Sequence, residues 1–161
     1  MMLKRCFPPV IDQNSRLLVL GSLPGEQSLA QGRYYANPRN QFWRLIGAVI
    51  GRDLESLGYT ERLEALLGAR VGLWDTVASA TRTGSLDTAI RGHEANDLAS
   101  ILETMPQLKA IAFNGQKSAG TGRPALADSG LALVTLPSSS PALTLPFERK
   151  LEQWLALKVF L

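Results

Sequence analysis

The eleven residues from Arg33 to Trp43, RYYANPRNQFW, concentrate two arginines, two tyrosines, two asparagines, a phenylalanine and a tryptophan. A tyrosine ring offers a face on which a nucleobase can stack. An asparagine amide carries donors and an acceptor, so it can pair with a base edge or hold a water. Phe42 and Trp43 read as core anchors of the helix that follows, which leaves Tyr34 and Tyr35 in a loop without that explanation. Asn40 stands at the loop–helix junction, where capping and ligand binding are compatible roles. A second cluster, PSSSPA, begins at Pro137. The hydroxyls and amides of Ser138, Ser139 and Ser140 suit a phosphate grip. Asp75 in LWDT ends an apolar run, where a carboxylate could be catalytic, but it reads better as a cap of the next loop; Asp87 reads as a helix cap.

Other chemistries are poorly supported. GSLPGE, from Gly21, is neither a Walker A loop nor a GxGxxG turn, and Lys117 in NGQKSAG lacks the leading glycine and the spacing of a P-loop. The serines have no GxSxG elbow. The one histidine, His93, lies in RGHEAND, which reads as a helix start, so a Ser–His–Asp relay is disfavoured. With one cysteine, Cys6, an intrachain disulfide and a multi-cysteine metal centre are both excluded. Neither a metal nor a cofactor is expected.

The elements that must carry these groups alternate along the chain. Arg16 to Gly21 (RLLVLG) reads as a buried strand, followed by a GSLPGE loop. Asn40 to Ile50 has apolar residues at helical spacing, with Asn37 or Asn40 as cap and Pro38 in the first turn. Thr60 to Leu67 reads as a helix capped by Thr60. Gly72 to Asp75 is a brief strand, and ASATRTGSLD a polar loop. Ala95 to Met105 reads as a helix, Leu108 to Phe113 as a strand, and Gln116 to Ala127 as an irregular helix. Leu131 to Leu136 is a fourth strand and Phe147 to Lys158 a closing helix, with Trp74 and Trp154 in the core. Strands that are apolar throughout belong in a parallel sheet covered on both faces. The expected fold is therefore α/β, a three-layer α/β/α sandwich with a four-stranded parallel sheet. Ligands in such sheets bind at the carboxyl ends of the strands, which draws the loops GSLPGE, WDTVASATRTGSLD, FNGQ and LPSSSPA to one edge.

The chain has 161 residues and a mass of 17.5 kDa, consistent with a single domain over 1–161. A formal charge of +3 and a pI near 9.3 permit an anionic partner without demanding one. No apolar run reaches the ~18 residues of a membrane span. Pro8 and Pro9 interrupt the N-terminal stretch before a signal-peptide core can form, so a cytoplasmic location is expected.

Taken in order, GSLPGEQSLAQGRYYANPRNQFW, LWDTVASATRTGSLD, AFNGQK and LPSSSPA resemble the uracil-DNA glycosylase superfamily, and within it the deoxyinosine (hypoxanthine) DNA glycosylase branch. The resemblance runs from about Leu17 to the final helix. It implies a monofunctional glycosylase without metal or cofactor. The implied partner is double- or single-stranded DNA carrying deaminated bases, hypoxanthine and also uracil, with no membrane and a monomeric state. Many members place a polar residue where Leu23 stands and a histidine where Leu136 stands; neither leucine can serve. The resemblance gives Asn40 the task of orienting water, and Asn37-Pro38 stands where His-Pro is common. It gives Tyr35 the stacking position, with Tyr34 as its competitor, and Asn114 the reading of the base edge. Backbone N–H groups of the loop after Gly21, through Ser22, join Asn114 as donors to the departing base. Ser138, Ser139, Ser140 and Pro141 form the DNA-binding loop, with Arg33, Arg39 and Arg82 as phosphate contacts. The polar groups missing at Leu23 and Leu136 leave room for a non-catalytic damaged-nucleic-acid binder, and an RNA or nucleoside N-glycosidase is a further alternative.

Overall fold

The computed structural model describes residues 3–81 and 91–161. Arg82 and Asp87 lie outside them. The sheet is built on β2 (Leu17–Gly21), whose five residues are all buried. β3 (Val71–Asp75), β6 (Ala110–Asn114) and β7 (Ala132–Leu136) extend it in the order β3-β2-β6-β7, every pairing parallel. Side chains alternate across the pleat. Leu17, Val19, Val71, Leu73, Ala110 and Ala112 face α2 (Phe42–Ile50), α3 (Tyr59–Gly68) and α6 (Phe147–Leu155). Leu18, Leu20, Ile111 and Phe113 face α4 (Leu98–Ile101) and α5 (Gln116–Leu126). The two apolar clusters make the three-layer sandwich that unbroken apolar strands require. Phe42, Trp43 and Trp154 are core residues, whereas Trp74 is partly buried and donates its indole N–H to the Phe7 carbonyl at 3.1 Å.

A glycine is required where α5 crosses the sheet: a Cβ at Gly122 would collide with the Phe113 ring. That close approach explains Gly122 inside a helix that also runs through Gly120 and Pro124.

Several local expectations are corrected. The polar run after Thr76 is not all loop: β4 (Val77–Thr81) pairs antiparallel with β1 (Leu3–Arg5) and β5 (Arg91–Ala95) in a separate three-stranded sheet. His93 therefore lies on a strand, not at a helix start. The helix expected from Ala95 shrinks to α4, continued by a 3₁₀ turn over Leu102–Thr104. Pairing between β4 and β5 holds Ala95 extended, and the Asp97 carboxylate caps α4 by accepting from Ser100 N at 3.1 Å. GSLPGE runs into an unforeseen short helix, α1 (Glu26–Gln31). α3 starts from Gly58, so Thr60 is inside it rather than its cap. α6 ends at Leu155 and passes into a 3₁₀ segment over Ala156–Phe160. No helix among the described residues is long and apolar enough to cross a membrane.

Candidate active site

The parallel register aligns the four strand ends. Gly21 pairs with Asp75, and Asn114 with Leu136. Above them opens a cleft of about 990 Å³. Its walls bring together Gly21, Ser22, Tyr34, Tyr35, Arg39, Asn40 and Asn114 with the loop Ser138–Pro141, residues spread over 120 positions of sequence. Arg33 is not among them; its guanidinium lies 5.3 Å from the Tyr59 ring centre.

The two tyrosines have different surroundings. Tyr34 is 4% exposed: its hydroxyl donates to the Pro8 carbonyl at 2.9 Å, its N–H to the Tyr59 hydroxyl at 2.9 Å, and Phe7 packs edge-on at 5.2 Å. Burial, reinforced by the negative charge of Asp75, pushes the Tyr34 phenol well above its ordinary pKa. Tyr35 instead turns outward. Its φ of +53° lies in the left-handed region that non-glycine residues seldom occupy. One face of its ring stacks on Phe42, with centres 3.9 Å apart and planes 12° from parallel, and the ring lines the cleft. Trp43 braces it, donating its indole N–H to the Tyr35 carbonyl at 3.2 Å.

Asn114 is the buried hub of this edge. Ser139 N donates to its Oδ1 at 2.9 Å, which fixes the orientation of the amide. Its Nδ2 then donates to Ser139 Oγ at 2.9 Å and to the Tyr35 hydroxyl at 3.3 Å. One side chain thus ties the stacking ring to the serine loop. A base that takes a hydrogen bond from Asn114 does so in exchange for one of these.

Asn40 combines both roles left open in the sequence. Its Oδ1 accepts from Phe42 N at 3.0 Å, serving the start of α2, where the Gln41 side chain makes no cap. Its Nδ2 has no hydrogen-bond partner among the described residues and belongs to the cleft wall. Asn37 holds the loop before it, accepting from Arg39 N at 2.9 Å.

The floor is crowded. A Cβ at Gly21 would stand 2.6 Å from Asp75 Oδ1 and 3.0 Å from the Tyr35 hydroxyl. Only glycine lets the carboxylate and the phenol meet over the strand end. Asp75 is 4% exposed, and its carboxylate belongs to the cleft wall, a placement that the reading as a loop cap passes over. Its backbone carbonyl accepts from Asn96 Nδ2 at 2.7 Å, binding β3 to the end of β5. Leu23 packs with Val77 and Cys6, and Leu136 with the α2–α6 core; both border the cleft as apolar surface. Burial pushes the Cys6 thiol up despite its hydrogen bond with Asn96.

The wall also holds Lys117, Leu143 and Gln153, to which the sequence reading gives no role in the site. Lys117 follows Asn114 by three residues and Leu143 follows Pro141 by two, whereas Gln153 comes from α6, with no spacing that relates it to the other site residues. Among the described residues no group of three or more His, Cys, Asp or Glu side chains could hold a metal ion.

Comparison with known proteins identifies the family. The family model described as the uracil DNA glycosylase superfamily matches residues 8–159. A hypoxanthine DNA glycosylase of Methanosarcina acetivorans is 45% identical over 141 residues, covering 88% of this chain and 89% of that protein. One from Methanosarcina barkeri is 46% identical over the same shares. The solution NMR structure of a candidate uracil DNA glycosylase from Methanosarcina acetivorans superposes with a TM-score of 0.89 at 40% identity, covering 98% of this chain and 97% of the other. By sequence and by fold, the chain belongs to the uracil DNA glycosylase superfamily.

Proposed function

We propose that the protein is a monofunctional DNA glycosylase that hydrolyses the N-glycosidic bond of deaminated nucleotides, with hypoxanthine as its main base and uracil as a secondary one. The observation that carries this reading is the convergence of a stacking ring, an uncommitted amide and a serine loop on one cleft, in a chain 45% identical to a hypoxanthine DNA glycosylase. DNA is the partner; the monomeric state, the cytoplasmic location and use of the whole chain as one domain belong to the same proposal.

In the duplex the target base is stacked and out of reach, so it must be flipped into the cleft, at a cost of a few kcal/mol that is lowest for mismatched or damaged pairs. Tyr35 receives the base on the face opposite Phe42, extending an existing stack. Ser138 to Pro141 grip the backbone, with Arg39 beside them. Leu143, a large apolar side chain exposed at the cleft rim, is placed to fill the gap the flipped nucleotide leaves.

In the reaction a water oxygen bonds to C1′, the glycosidic electron pair leaves with the base, and the water's proton passes to the base or to solvent. Asn40 Nδ2 holds that water. An amide is a poor base, so attack falls on a largely formed oxocarbenium ion rather than waiting for deprotonation. Backbone N–H groups after Gly21 and the Asn114 amide stabilise the departing base. The leucines at 23 and 136 supply no proton, so the burden falls on these prearranged dipoles.

The test is incubation with labelled duplex and single-stranded oligonucleotides carrying hypoxanthine, uracil, xanthine or ethenocytosine, followed by alkaline cleavage at abasic sites. Inosine nucleoside runs alongside. Abasic sites at the position of the hypoxanthine support the reading. Tight binding without abasic sites means a damage-binding module, and release from inosine alone means a nucleoside hydrolase.

A further inference from the structure

Beneath the serine loop lies a charged group that the mechanism above does not use. Lys150 on α6 is 1% exposed, and no carboxylate lies within 4 Å of its Nζ among the described residues. Burying an ammonium without a counter-charge is costly, and burial lowers the pKa of this lysine. Its Nζ donates to the Ser140 carbonyl at 3.2 Å. One helical turn on, fully buried Trp154 donates its indole N–H to the Pro137 carbonyl at 3.0 Å. Residues four apart share a helix face, so α6 holds the loop at both ends. Between them, Gln41 N donates to the Ser139 carbonyl at 3.0 Å. Three of the four carbonyls from Pro137 to Ser140 are thus drawn down towards α2 and α6.

We propose that Lys150 and Trp154 are positioning residues that set the Pro137–Ser140 backbone for gripping a DNA phosphate, with the buried ammonium of Lys150 adding its charge to that grip. A methionine of similar length would fill the same space without the cost of a buried ion. The lysine is accounted for by the carbonyl it holds and by its place under a loop that meets polyanion. A charge screened from water acts on a nearby phosphate more strongly than one on the surface. The proposal rests on the DNA glycosylase reading.

The experiment compares wild-type protein with Lys150→Met, Lys150→Arg and Trp154→Phe in steady-state release from a hypoxanthine duplex. Affinity for an undamaged duplex is measured in parallel by fluorescence anisotropy over a range of salt. Lys150→Met is expected to raise KM and duplex Kd about tenfold, to leave kcat within about twofold, and to reduce the salt slope by about one. Lys150→Arg, which keeps charge and donors, returns KM to within about threefold. Trp154→Phe raises KM several-fold with an unchanged salt slope. Wild-type KM and Kd in Lys150→Met, or equal loss of kcat and kcat/KM, overturns the proposal. If Lys150→Met does not fold, wild-type KM and Kd in Trp154→Phe overturn it instead. If wild-type protein releases no base, the glycosylase reading fails separately, and the anisotropy arm still decides the loop.

Discussion

Truncating Tyr35 separates stacking from structure most directly. Its ring rests on Phe42 at 3.9 Å and borders the cleft with its remaining surface, while its hydroxyl accepts from Asn114 Nδ2 at 3.3 Å and lies over Gly21 beside the Asp75 carboxylate. Base–aromatic stacking contributes ~1–3 kcal/mol per base. At about 1.4 kcal/mol per decade, Tyr35→Ala is expected to lower kcat/KM for hypoxanthine release between about fivefold and 150-fold. Tyr35→Phe keeps the ring and loses the hydrogen bonding of the hydroxyl, a net ~0.5–1.5 kcal/mol per bond, so its loss stays below that of Tyr35→Ala. Alanine inherits the positive φ of +53°, so strain at this position is not relieved. Tyr34→Ala is the control. It empties a core position and loses the hydrogen bond to Pro8, which costs about 3–5 kcal/mol of stability and lowers Tm by about 10 °C or more. The assay is single-turnover release from a hypoxanthine duplex, with melting curves on each variant. Wild-type kcat/KM in Tyr35→Ala would refute the stacking argument, and so would a larger kinetic than thermal effect in Tyr34→Ala.

Four further outcomes are expected. Asn40→Ala abolishes base release, by about 100-fold or more, while an anisotropy titration shows duplex affinity within a few-fold; its lost bond to Phe42 N also costs ~1 kcal/mol of stability on melting. Gly21→Ala places a Cβ 2.6 Å from Asp75 Oδ1, so Asp75 and Tyr35 must part, and kcat/KM falls by at least about tenfold in the abasic-site assay while the protein stays folded. Leu143→Ala slows release from duplex but not from single-stranded DNA, since only a duplex leaves a gap to fill; equal loss on both substrates would count against its wedge role. Cys6 has a raised pKa, so less thiolate is present at any pH below it. Iodoacetamide should therefore modify Cys6 more slowly than a free thiol at pH 8, with the rate still climbing above pH 9.

The core strands were legible because their chemistry is redundant. LLVLG is apolar throughout and AIAFN up to its last residue, Asn114, and a strand covered on both faces accepts that pattern. The loops at their carboxyl ends follow from that topology, so the edge carrying Asn114 and the three serines could be named from order alone, whereas Tyr35 and Asn40 joined it only through the family resemblance. Where local preference was weak, tertiary pairing decided. VASAT has neither strong strand formers throughout nor clean alternation, and it becomes a strand because β1 and β5 flank it. The same pairing keeps His93 and Ala95 extended.

What the sequence by itself determined is the inventory: a sandwich of apolar strands and helices, one imidazole, one thiol, and a set of amides, hydroxyls and aromatic rings left to do the chemistry. Only the tertiary structure decided which members of that inventory meet. It separated Tyr34, sealed against Pro8, from Tyr35, stacked and facing the cleft. It brought Asp75 over Gly21 and set Lys150 beneath Ser140. Hydrophobic periodicity records which way a side chain faces within its own element. It carries no information on contacts between residues such as Asn114 and Ser139, 25 positions apart, which meet only because parallel strands end on the same edge of one sheet.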